Sequence, residues 1–410
     1  MSTASSPSDA ARKHLLLVGA GHAHLHVLQR LANHRKHHLK VTLLTPDAWQ
    51  TYSGMVPGYV AGRYPLGACR IPLQPLLDAA GVTWIQGTCA GLDAARSEAT
   101  VLQGGTAPQA QCLRYDLVSL DTGAVLDPER LQTDMPGAAE HTLPVRPIDG
   151  FTQRWASLVG RLAACAAAPG QQGSAPHAPP LTVVFIGAGA ASVELLMAAH
   201  QRFTSPHFGP SPPAAPVRLV LVTGGGPVGA GYAPGVQRRV LRQLRVRNVQ
   251  TVHQRCVGAR AGALELEDGS LLACDAAVLA VGTHAPRWLQ GSGLALTASG
   301  HVQVNAFQQS TSHPNVFAAG DVATRADAPH PKSGVYAVRA GPALAHNLLA
   351  AASGRPLQSY QPPARTLNLL SCGTGHAILS WGPLHAEGAW AWWLKDRIDR
   401  AFVARYAAQP

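Results

Sequence analysis

The sequence predicts an α/β fold with two Rossmann-like domains, each a three-layer sandwich, and a C-terminal α/β extension. An apolar run, a glycine-rich turn and an amphipathic segment follow one another twice, in residues 14–31 and 181–197. A further short apolar run follows each copy, at residues 41–44 and 217–222. Strand, tight turn, helix and strand in this order open a βαβ unit. The duplication therefore indicates two doubly wound domains in one chain.

The composition indicates a globular protein with an anionic partner. Hydrophobic residues make up 46% of the 410 residues, which excludes a chain that is disordered throughout. Lys and Arg number 33 against 22 Asp and Glu, a formal net charge of +11. Such a balance suits a dinucleotide or an anionic membrane surface. It does not indicate nucleic acid, because the sequence has neither zinc-finger spacing nor a long block of basic residues.

The sequence shows no signal for export or for membrane insertion. Residues 1–13 lack the apolar core of a signal peptide and are expected to form a disordered leader. There is no uncharged apolar stretch of about 18 residues, the length that spans a bilayer. Seven cysteines without C-x-x-C spacing fit cytosolic thiols. We expect a cytoplasmic protein, with a peripheral position at the inner face of the membrane as the alternative.

No metal site is expected from the histidine-rich part of the sequence. His22, His24 and His26 alternate along a predicted helix next to the first glycine-rich turn. Helical residues two positions apart do not share a face, so these three rings would not converge on one ion.

The first glycine-rich turn has the pattern that a dinucleotide needs. Gly19, Ala20 and Gly21 let the backbone approach a pyrophosphate, and the following helix presents free N–H groups to that anion. The third position of the G-x-G-x-x-G fingerprint holds His24, which needs a wider helix–strand spacing or an outward-pointing ring. Thr45 replaces the acidic residue expected after the second strand. We predict that this turn, His24 included, binds a dinucleotide.

The second glycine-rich turn departs further from the fingerprint. Gly187 and Gly189 are in place, but Ser192 stands at the third glycine and Thr223 at the acidic position. As an acid in the first helical turn, Glu194 is favourable in any case. We expect these residues to bind a nucleotide. The sequence leaves open whether it is NADH, NADPH or neither.

Three later strands end in small residues that suit a bound cofactor. The first runs into Thr122 and Gly123, and the second runs into Gly282. The third ends in Gly320 and Asp321, whose carboxylate can accept hydrogen bonds from ribityl hydroxyls. We predict cofactor contacts at all three strand ends.

A helix is predicted to open at residues 330–335 and to continue to about residue 349. Its start contains Lys332, Ser333, Gly334 and Val335. The positive end of the helix dipole and the Lys332 charge would stabilise a reduced, anionic flavin ring. These four residues are therefore candidate cofactor contacts, and Lys332 is also a catalytic candidate.

Four segments complete the pattern: GAGHAHLH at 19–26, YSGMVPG at 52–58, PKSGVYAVR at 331–339 and KDRIDR at 395–400. Together with the strand ends they resemble the pyridine nucleotide-disulfide oxidoreductase superfamily, which has the glutathione-reductase-like fold. Within it the chain is similar to type II NADH dehydrogenases and sulfide:quinone oxidoreductases. It resembles most the oxidoreductase module that occurs fused ahead of selenide, water dikinase.

The resemblance implies FAD in the first domain and NADH or NADPH in the second. Glu194 lies at the offset where this superfamily often has a glutamate that faces the nicotinamide, which is the alternative to a purely helical role. Electrons would pass from the nucleotide through flavin to a quinone-like or other small acceptor, with a connection to selenium metabolism. It places Gly320 and Asp321 at the ribityl–phosphate end of FAD. It places residues 52–57, which include Tyr52 and Ser53, close to the isoalloxazine ring. His24 then becomes a family feature, and a homodimer stays open.

The expected domain order follows from these motifs. Residues 1–13 are the leader, 14–150 and 275–350 the two parts of the FAD-binding domain, 151–274 the NAD(P)-binding-like domain, and 351–410 a C-terminal segment with an amphipathic helix. Two low-complexity stretches are predicted to be exposed loops, at 163–180 and 205–216.

The catalytic candidates are Tyr52, Cys69 and Lys332. Disulfide reductases need two cysteines close in sequence beside the flavin, and this chain has none. Cys69 and Cys372 could meet over a flavin, but burial as small apolar side chains is the favoured interpretation. Three functions stay open: an NAD(P)H oxidoreductase without a redox disulfide, a flavoenzyme acting on a sulfur or selenium compound, and a non-catalytic flavin sensor with a degenerate nucleotide site.

The C-terminal segment is predicted to end in an amphipathic, basic helix. Five large apolar residues recur at i, i+4 spacing: Trp390, Leu394, Ile398, Phe402 and Tyr406. This stripe could lie in a membrane interface and give access to a quinone. The favoured alternative is that it packs on the flavin domain or across a dimer.

Overall fold

The computed structural model describes residues 12–34, 38–103, 109–167, 180–204, 217–282, 284–373 and 375–407. Two predominantly parallel sheets form the framework, and helices and smaller antiparallel sheets cover their faces. The helices are α1 His22–Asn33, α2 Val56–Val60, α3 Gln74–Ala80, α4 Pro128–Asp134, α5 Ala138–His141, α6 Ile148–Ala167, α7 Ala190–Thr204, α8 Pro234–Val246, α9 Gly334–Ala352 and α10 Ala389–Ala407.

The first sheet contains seven strands: β1 His14–Val18, β2 Lys40–Thr45, β5 Thr83–Asp93, β6 Glu98–Gln103, β7 Gln109–Arg114, β8 Leu117–Leu120 and β18 Val316–Ala318. Their order is β18-β8-β1-β2-β5-β6-β7. The first five strands in this order are parallel, and the second half of β5 pairs antiparallel with β6. A short hairpin, β3 Trp49–Thr51 with β4 Arg70–Pro72, follows β2.

The second sheet contains five parallel strands: β9 Leu143–Pro144, β10 Leu181–Ile186, β11 Val217–Val222, β12 Gln250–Val252 and β16 Ala276–Leu279. Their order is β12-β11-β10-β16-β9. An antiparallel meander lies beside it, formed by β13 Cys256–Arg260, β14 Ala263–Leu266 and β15 Leu271–Ala273. The strands β17 Val302–Val304 and β19 Ala323–Arg325 pair near the end of the first sheet.

Both sheets are buried on their two faces, as parallel sheets require. In β1, Leu15 and Leu17 belong to the cluster under α1 and α9, whereas Leu16 belongs to the cluster on the opposite face. In β10, Phe185 and Val184 divide between two clusters in the same way. The prediction of two Rossmann-like, three-layer domains is therefore confirmed.

The C-terminal extension is an antiparallel sheet followed by a long helix. Its strands are β20 Leu367–Ser371, β21 Ala377–Trp381 and β22 Leu384–Gly388. The helix α10 leaves β22 and packs against α3 and β4 of the first domain. None of the described helices is long and apolar enough to cross a membrane.

The structure shifts the expected boundaries between the domains. The strands β9 and β16 both belong to the second sheet, although residues 143–144 and 275–279 were assigned to the first domain. The chain therefore enters the second domain before residue 150 and leaves it after residue 279. The parallel pairing of β16 with β10 and of β9 with β16, not sequence composition, sets these crossing points.

The two predicted loops are only partly described. The helix α6 continues to Ala167, so the first residues of the 163–180 stretch are helical and not a loop. This difference follows from alanine, which is the best helix former. Residues 168–179 and the whole 205–216 stretch lie outside the described residues, as do residues 1–11 of the expected leader.

Candidate functional site

The first glycine-rich turn presses tightly on the end of β8. Gly19 has a φ of +86°, and a Cβ there would lie 2.6 Å from the carbonyl oxygen of Asp121. Its amide donates to Leu44 O at 2.8 Å, and the Gly21 amide donates to Asp121 O at 3.1 Å. Ala20, between the two glycines, is buried. Only glycine tolerates this approach and this backbone, which explains the motif sterically.

His24 occupies the place of the third glycine and points inward. Its ring is fully buried between α1 and the first sheet, with Nδ1 2.6 Å from Gly19 O and Nε2 2.8 Å from Ser119 Oγ. A carbonyl oxygen only accepts, so Nδ1 carries the proton and Nε2 accepts the Ser119 hydroxyl. Burial lowers the pKa of His24 to about 4, so the ring is neutral. Of the two alternatives for His24, the outward-pointing ring is excluded, because the buried ring hydrogen-bonds both the turn and β8.

Asp121 is a buried carboxylate that the sequence analysis missed. It follows β8, and its Oδ2 accepts the backbone N–H groups of Ala23 at 2.8 Å and His24 at 2.9 Å. Burial raises the pKa of this carboxyl to about 7, and the charge of Asp321 acts in the same direction. An aspartate at the end of an otherwise apolar run was the available signal. The prediction for this strand end named Thr122 and Gly123 instead.

The neighbouring Thr122 and Gly123 form the turn that follows Asp121. The Thr122 hydroxyl donates to Gly123 O at 3.3 Å, and Gly123 has a φ of +70°. Both residues lie where β8 ends, close to the first glycine-rich turn. Their predicted contact with a cofactor stays a prediction.

Gly320 and Asp321 line a cleft beside the same turn. Gly320 has a φ of +70°, and a Cβ there would lie 2.7 Å from Asp121 Oδ1. The Asp321 carboxylate pairs with Arg146 at 3.5 Å, a partner that the sequence analysis did not name. The cleft continues along Lys332 and Ser333 to Tyr336. The structure thus brings the Gly-Asp pair and the start of α9 together.

The start of α9 brings two sources of positive charge to the cleft, the N-terminus of the helix and the Lys332 ammonium. Ser333 is the N-cap residue, and its side chain makes no capping hydrogen bond, so the first-turn amides that begin at Gly334 and Val335 lack this partner. The Lys332 ammonium donates to Ala323 O and to Thr324 Oγ1, and burial lowers the pKa of Lys332 to about 8. A Cβ on Gly334 would lie 3.6 Å from Ser53 Oγ.

A second polar cluster lies where α10 meets the Tyr52 segment. The Tyr52 hydroxyl donates to Asp399 Oδ1 at 3.2 Å, and its ring stacks on Phe402 at a centroid distance of 4.4 Å. The Lys395 ammonium donates to Asp399 Oδ2 and to Gly54 O, both at 2.9 Å. Burial and Asp399 raise the pKa of Tyr52.

The charge on Lys395 is maintained inside the protein. Burial alone would lower the pKa of Lys395, but Asp399 and Glu194 hold it above its usual value. Beside this cluster, His22 is edge-on to Tyr52 at 5.5 Å, and its buried Nε2 has no hydrogen-bond partner. The KDRIDR segment therefore forms part of the site wall, a role that its sequence alone did not reveal.

The second glycine-rich turn is more open. Gly187 has a φ of +125°, and a Cβ there would collide with Ala280 O, but Gly189 and Gly282 have open space around them. Ser192 is fully buried, and its hydroxyl has no hydrogen-bond partner. Thr283, next to Gly282, lies outside the described residues.

Glu194 is engaged with the C-terminal extension. Its Oε1 accepts the amide of Ser371 in β20 at 2.7 Å, and burial raises the pKa of its carboxyl. The Lys395 charge acts on it from the other side. In this arrangement the carboxylate anchors β20, so a nicotinamide-facing role requires it to exchange this partner.

The two cysteines considered for a redox relay do not meet. Cys69 and Cys372 are both free and fully buried, and they belong to different hydrophobic clusters. Burial raises the pKa of each thiol to about 12. A protonated, inaccessible thiol is a poor nucleophile, so this environment argues against the catalytic role expected for Cys69. No group of three or more His, Cys, Asp or Glu residues suited to a metal ion occurs in the described parts of the chain.

Comparison with protein families places the chain by its sequence. The family described as pyridine nucleotide-disulphide oxidoreductase matches residues 13–350. An NADH dehydrogenase-like protein of Mycobacterium tuberculosis is 29% identical over 259 residues. That match covers 63% of this chain and 59% of the mycobacterial protein, so the chain spans less than two thirds of that relative.

Solved structures share the fold over nearly the whole chain. The sulfide:quinone oxidoreductase of Aquifex aeolicus superposes with a TM-score of 0.74 at 18% identity, covering 96% of this chain and 91% of that one. The NDH2 of Plasmodium falciparum in complex with NADH superposes with a TM-score of 0.75 at 11% identity, covering 97% and 99%. At these identities the likeness establishes the architecture.

Proposed function

The chain belongs to the pyridine nucleotide-disulphide oxidoreductase family, and from this premise we propose that it is an FAD-dependent NAD(P)H oxidoreductase that works without a redox disulfide. The observation that carries the proposal is that Gly320, Asp321 and the residues at the start of α9 line one cleft, and that Asp121 packs against both Gly320 and the first glycine-rich turn. FAD would occupy the first domain, and NADH or NADPH the second. The acceptor would be a quinone or another small molecule.

The residues of the first site fit a flavin dinucleotide. Gly19, Gly21 and Gly320 are positions where any Cβ would collide with Asp121. The backbone there carries no side chain that could obstruct a close ligand. Asp321 lies in the cleft as a carboxylate for ribityl hydroxyls. The buried Nε2 of His22 lacks a partner and can hydrogen-bond a ligand atom.

A bound flavin would supply the redox chemistry, accepting a hydride from the reduced nicotinamide and passing its electrons to the acceptor. The protein holds positive charge at the start of α9 through the helix dipole and Lys332, which favours a ring that becomes anionic. Because its pKa is raised, the Tyr52 phenol stays protonated, and its hydroxyl donates a hydrogen bond to Asp399. Tyr52 therefore shapes and closes the site; it does not act as a base.

The surface of the C-terminal extension supports a membrane-soluble acceptor. Trp390, Trp393 and Ile398 on α10 are 51%, 58% and 42% exposed, and Trp381 and Leu384 of the adjacent hairpin are exposed as well. Exposed tryptophans beside arginines suit the interface of an anionic bilayer. A peripheral membrane position and a quinone acceptor follow as parts of the proposal.

Two other functions have less support. A sulfur or selenium reaction through a cysteine needs an accessible thiolate, and Cys69 and Cys372 are buried thiols. A non-catalytic sensor would need a second glycine-rich turn that excludes a nucleotide, but Gly189 and Gly282 leave that turn open. A selenium-containing substrate stays possible only if a flavin reaction needs no cysteine.

Anaerobic reduction of the purified full-length protein tests the proposal. We expect a yellow protein with non-covalent FAD, whose visible absorbance is bleached when NADH or NADPH is added. A colourless protein that takes up no supplied FAD would overturn the proposal. A bound flavin that neither nucleotide bleaches would favour the sensor, or a sulfur or selenium donor.

A further inference from the structure

Asp121 already does for α1 what a bound anion would do. The N-cap residue Gly21 offers no side chain to the first turn of α1, and the Asp121 carboxylate accepts the amides of Ala23 and His24 instead. Free first-turn amides and the helix dipole form the site where a pyrophosphate binds in such turns. The carboxylate and the ligand would therefore share one positive helix end.

The Asp121 carboxylate lies between Gly21 and Gly320, close to where a bound pyrophosphate would lie. A Cβ on Gly21 would collide with the carboxylate, and a Cβ on Gly320 would lie 2.7 Å from its Oδ1. Gly21 and Gly320 are two of the glycines at which the dinucleotide is proposed to approach the backbone. Asp121 thus lies at the junction of both approaches, fully enclosed by protein.

The charged groups around Asp121 do not neutralise it. From α1, His22 and His24 are uncharged, since burial lowers the pKa of each to about 4. From the turn after β18, Asp321 adds negative charge, and Arg146 pairs with Asp321. Lys332, ahead of α9, donates to Ala323 O and Thr324 Oγ1.

Building on the proposed function, we infer that Asp121 is the residue that couples FAD binding to the uptake of one proton. The pyrophosphate brings negative charge to a buried helix end that already holds a carboxylate. Two unscreened anions there would repel strongly. The carboxylate takes a proton from solvent and becomes the neutral acid, and its hydroxyl can then donate to a phosphate oxygen. No other bond is made or broken.

The pH dependence of FAD affinity follows with a definite sign. Below the pH at which the carboxyl of the free protein ionises, no proton need be added and the affinity is constant. Above it, each pH unit weakens the affinity up to about tenfold, because one proton must be taken up. The free carboxyl has its pKa raised to about 7, so the loss begins near neutral pH.

Equilibrium dialysis of the full-length protein against FAD tests the inference at about pH 6 and about pH 9. The wild type is expected to bind FAD up to about a hundredfold more weakly at the higher pH. The isosteric variant Asp121→Asn cannot ionise, so its affinity is expected to be nearly equal at both. The exposed Asp134→Asn serves as the matched control and should keep the wild-type profile.

A calorimetric titration of the wild type needs no variant and guards against misfolding of Asp121→Asn. In two buffers of different ionisation enthalpy at about pH 8, the heats should differ by that of about one proton per FAD bound. FAD binding with no proton uptake and the same pH profile in Asp121→Asn would overturn the inference and leave the proposed function intact. No FAD binding by any variant at either pH would overturn the proposed function itself.

Discussion

The two glycine-rich turns of this protein share one sequence pattern but differ in how they are completed. In the first turn, His24 fills the third position with two hydrogen bonds, and Asp121 binds the amides of α1. In the second, Ser192 is buried without a partner, and Glu194 turns away to bind Ser371. The glycine fingerprint therefore identifies the position of a turn, whereas the side chains packed around the turn determine which of its groups are available to a ligand.

This difference also separates the surroundings of the two turns. The first turn lies beneath Tyr52 and Phe402, and the latter comes from α10, so the C-terminal extension closes one side of that site. The second turn has open space at Gly189 and at Gly282. The first turn is therefore enclosed on one side by aromatic rings, whereas the second turn is not enclosed at these two glycines.

Removing α10 is expected to have the largest effect, because the helix packs against α3 and β4 of the first domain and against the C-terminal sheet. A chain that ends before Gly388 loses the burial of Val403 and Tyr406 and the Phe402 stack. Each such side chain contributes roughly 1.5–3 kcal/mol, so we expect a clear drop in the melting temperature while FAD stays bound. Equal melting of the truncated and full-length proteins would show that α10 does not stabilise the first domain.

Co-sedimentation with anionic liposomes completes this test. The full-length protein is expected to sediment with the vesicles and the truncated protein to stay in solution, because the exposed Trp390 and Trp393 are removed. Neutral vesicles serve as the control, since the basic flank of α10 should not be attracted to them. Failure of the full-length protein to bind either vesicle would remove the membrane from the proposed function.

Substitution of Asp321 tests FAD binding in the first domain. Asp321→Ala removes the carboxylate for the ribityl hydroxyls, and charge-assisted hydrogen bonds contribute about 1.5–3 kcal/mol each. We expect at least a tenfold loss of FAD affinity, so that most flavin is lost on dialysis. Glu194→Gln in the second domain is the matched control and should keep its flavin. A yellow Asp321→Ala protein would mean that the cofactor lies elsewhere.

Alanine substitutions of His24 and Ser192, which occupy the third glycine position of the two turns, test the difference between the turns directly. His24→Ala leaves a cavity and two buried groups without partners, Gly19 O and Ser119 Oγ, and should lower the unfolding free energy by about 2–4 kcal/mol. Ser192→Ala removes a hydroxyl that has no partner, so its effect should be within about 1 kcal/mol of zero or stabilising. Denaturant unfolding measures both, and equal effects would contradict the difference between the turns.

The smallest effect is expected at the cysteines. Cys69→Ser and Cys372→Ser should reduce the rate of flavin reduction by the nucleotide only slightly, because both thiols are buried and protonated. Stopped-flow measurement under anaerobic conditions gives this rate. A loss of several hundredfold in either variant would instead indicate a covalent sulfur or selenium mechanism.

The prediction of the C-terminal helix was right in extent and only partly right in orientation. Phe402 and Tyr406 of its i, i+4 stripe dock on the core of the first domain, whereas Trp390 and Ile398 of the same stripe are exposed. The buried face is offset along the helix and carries Lys395 and Asp399 as well as Tyr406. Apolar spacing identifies a helix, but the partner surface, here the Tyr52 hydroxyl and the Gly54 carbonyl, selects its face.

The sequence by itself determined the two βαβ units and their glycine-rich turns, because strand periodicity and the steric need for glycine are local properties. It also identified Gly320 and Asp321 as candidates from their position at a strand end. Only the tertiary structure placed the Asp121 carboxylate on the amides of Ala23 and His24, nearly a hundred positions away in the sequence. Such a contact depends on the pairing of β1 with β8, and one sequence does not encode strand pairing in any local pattern.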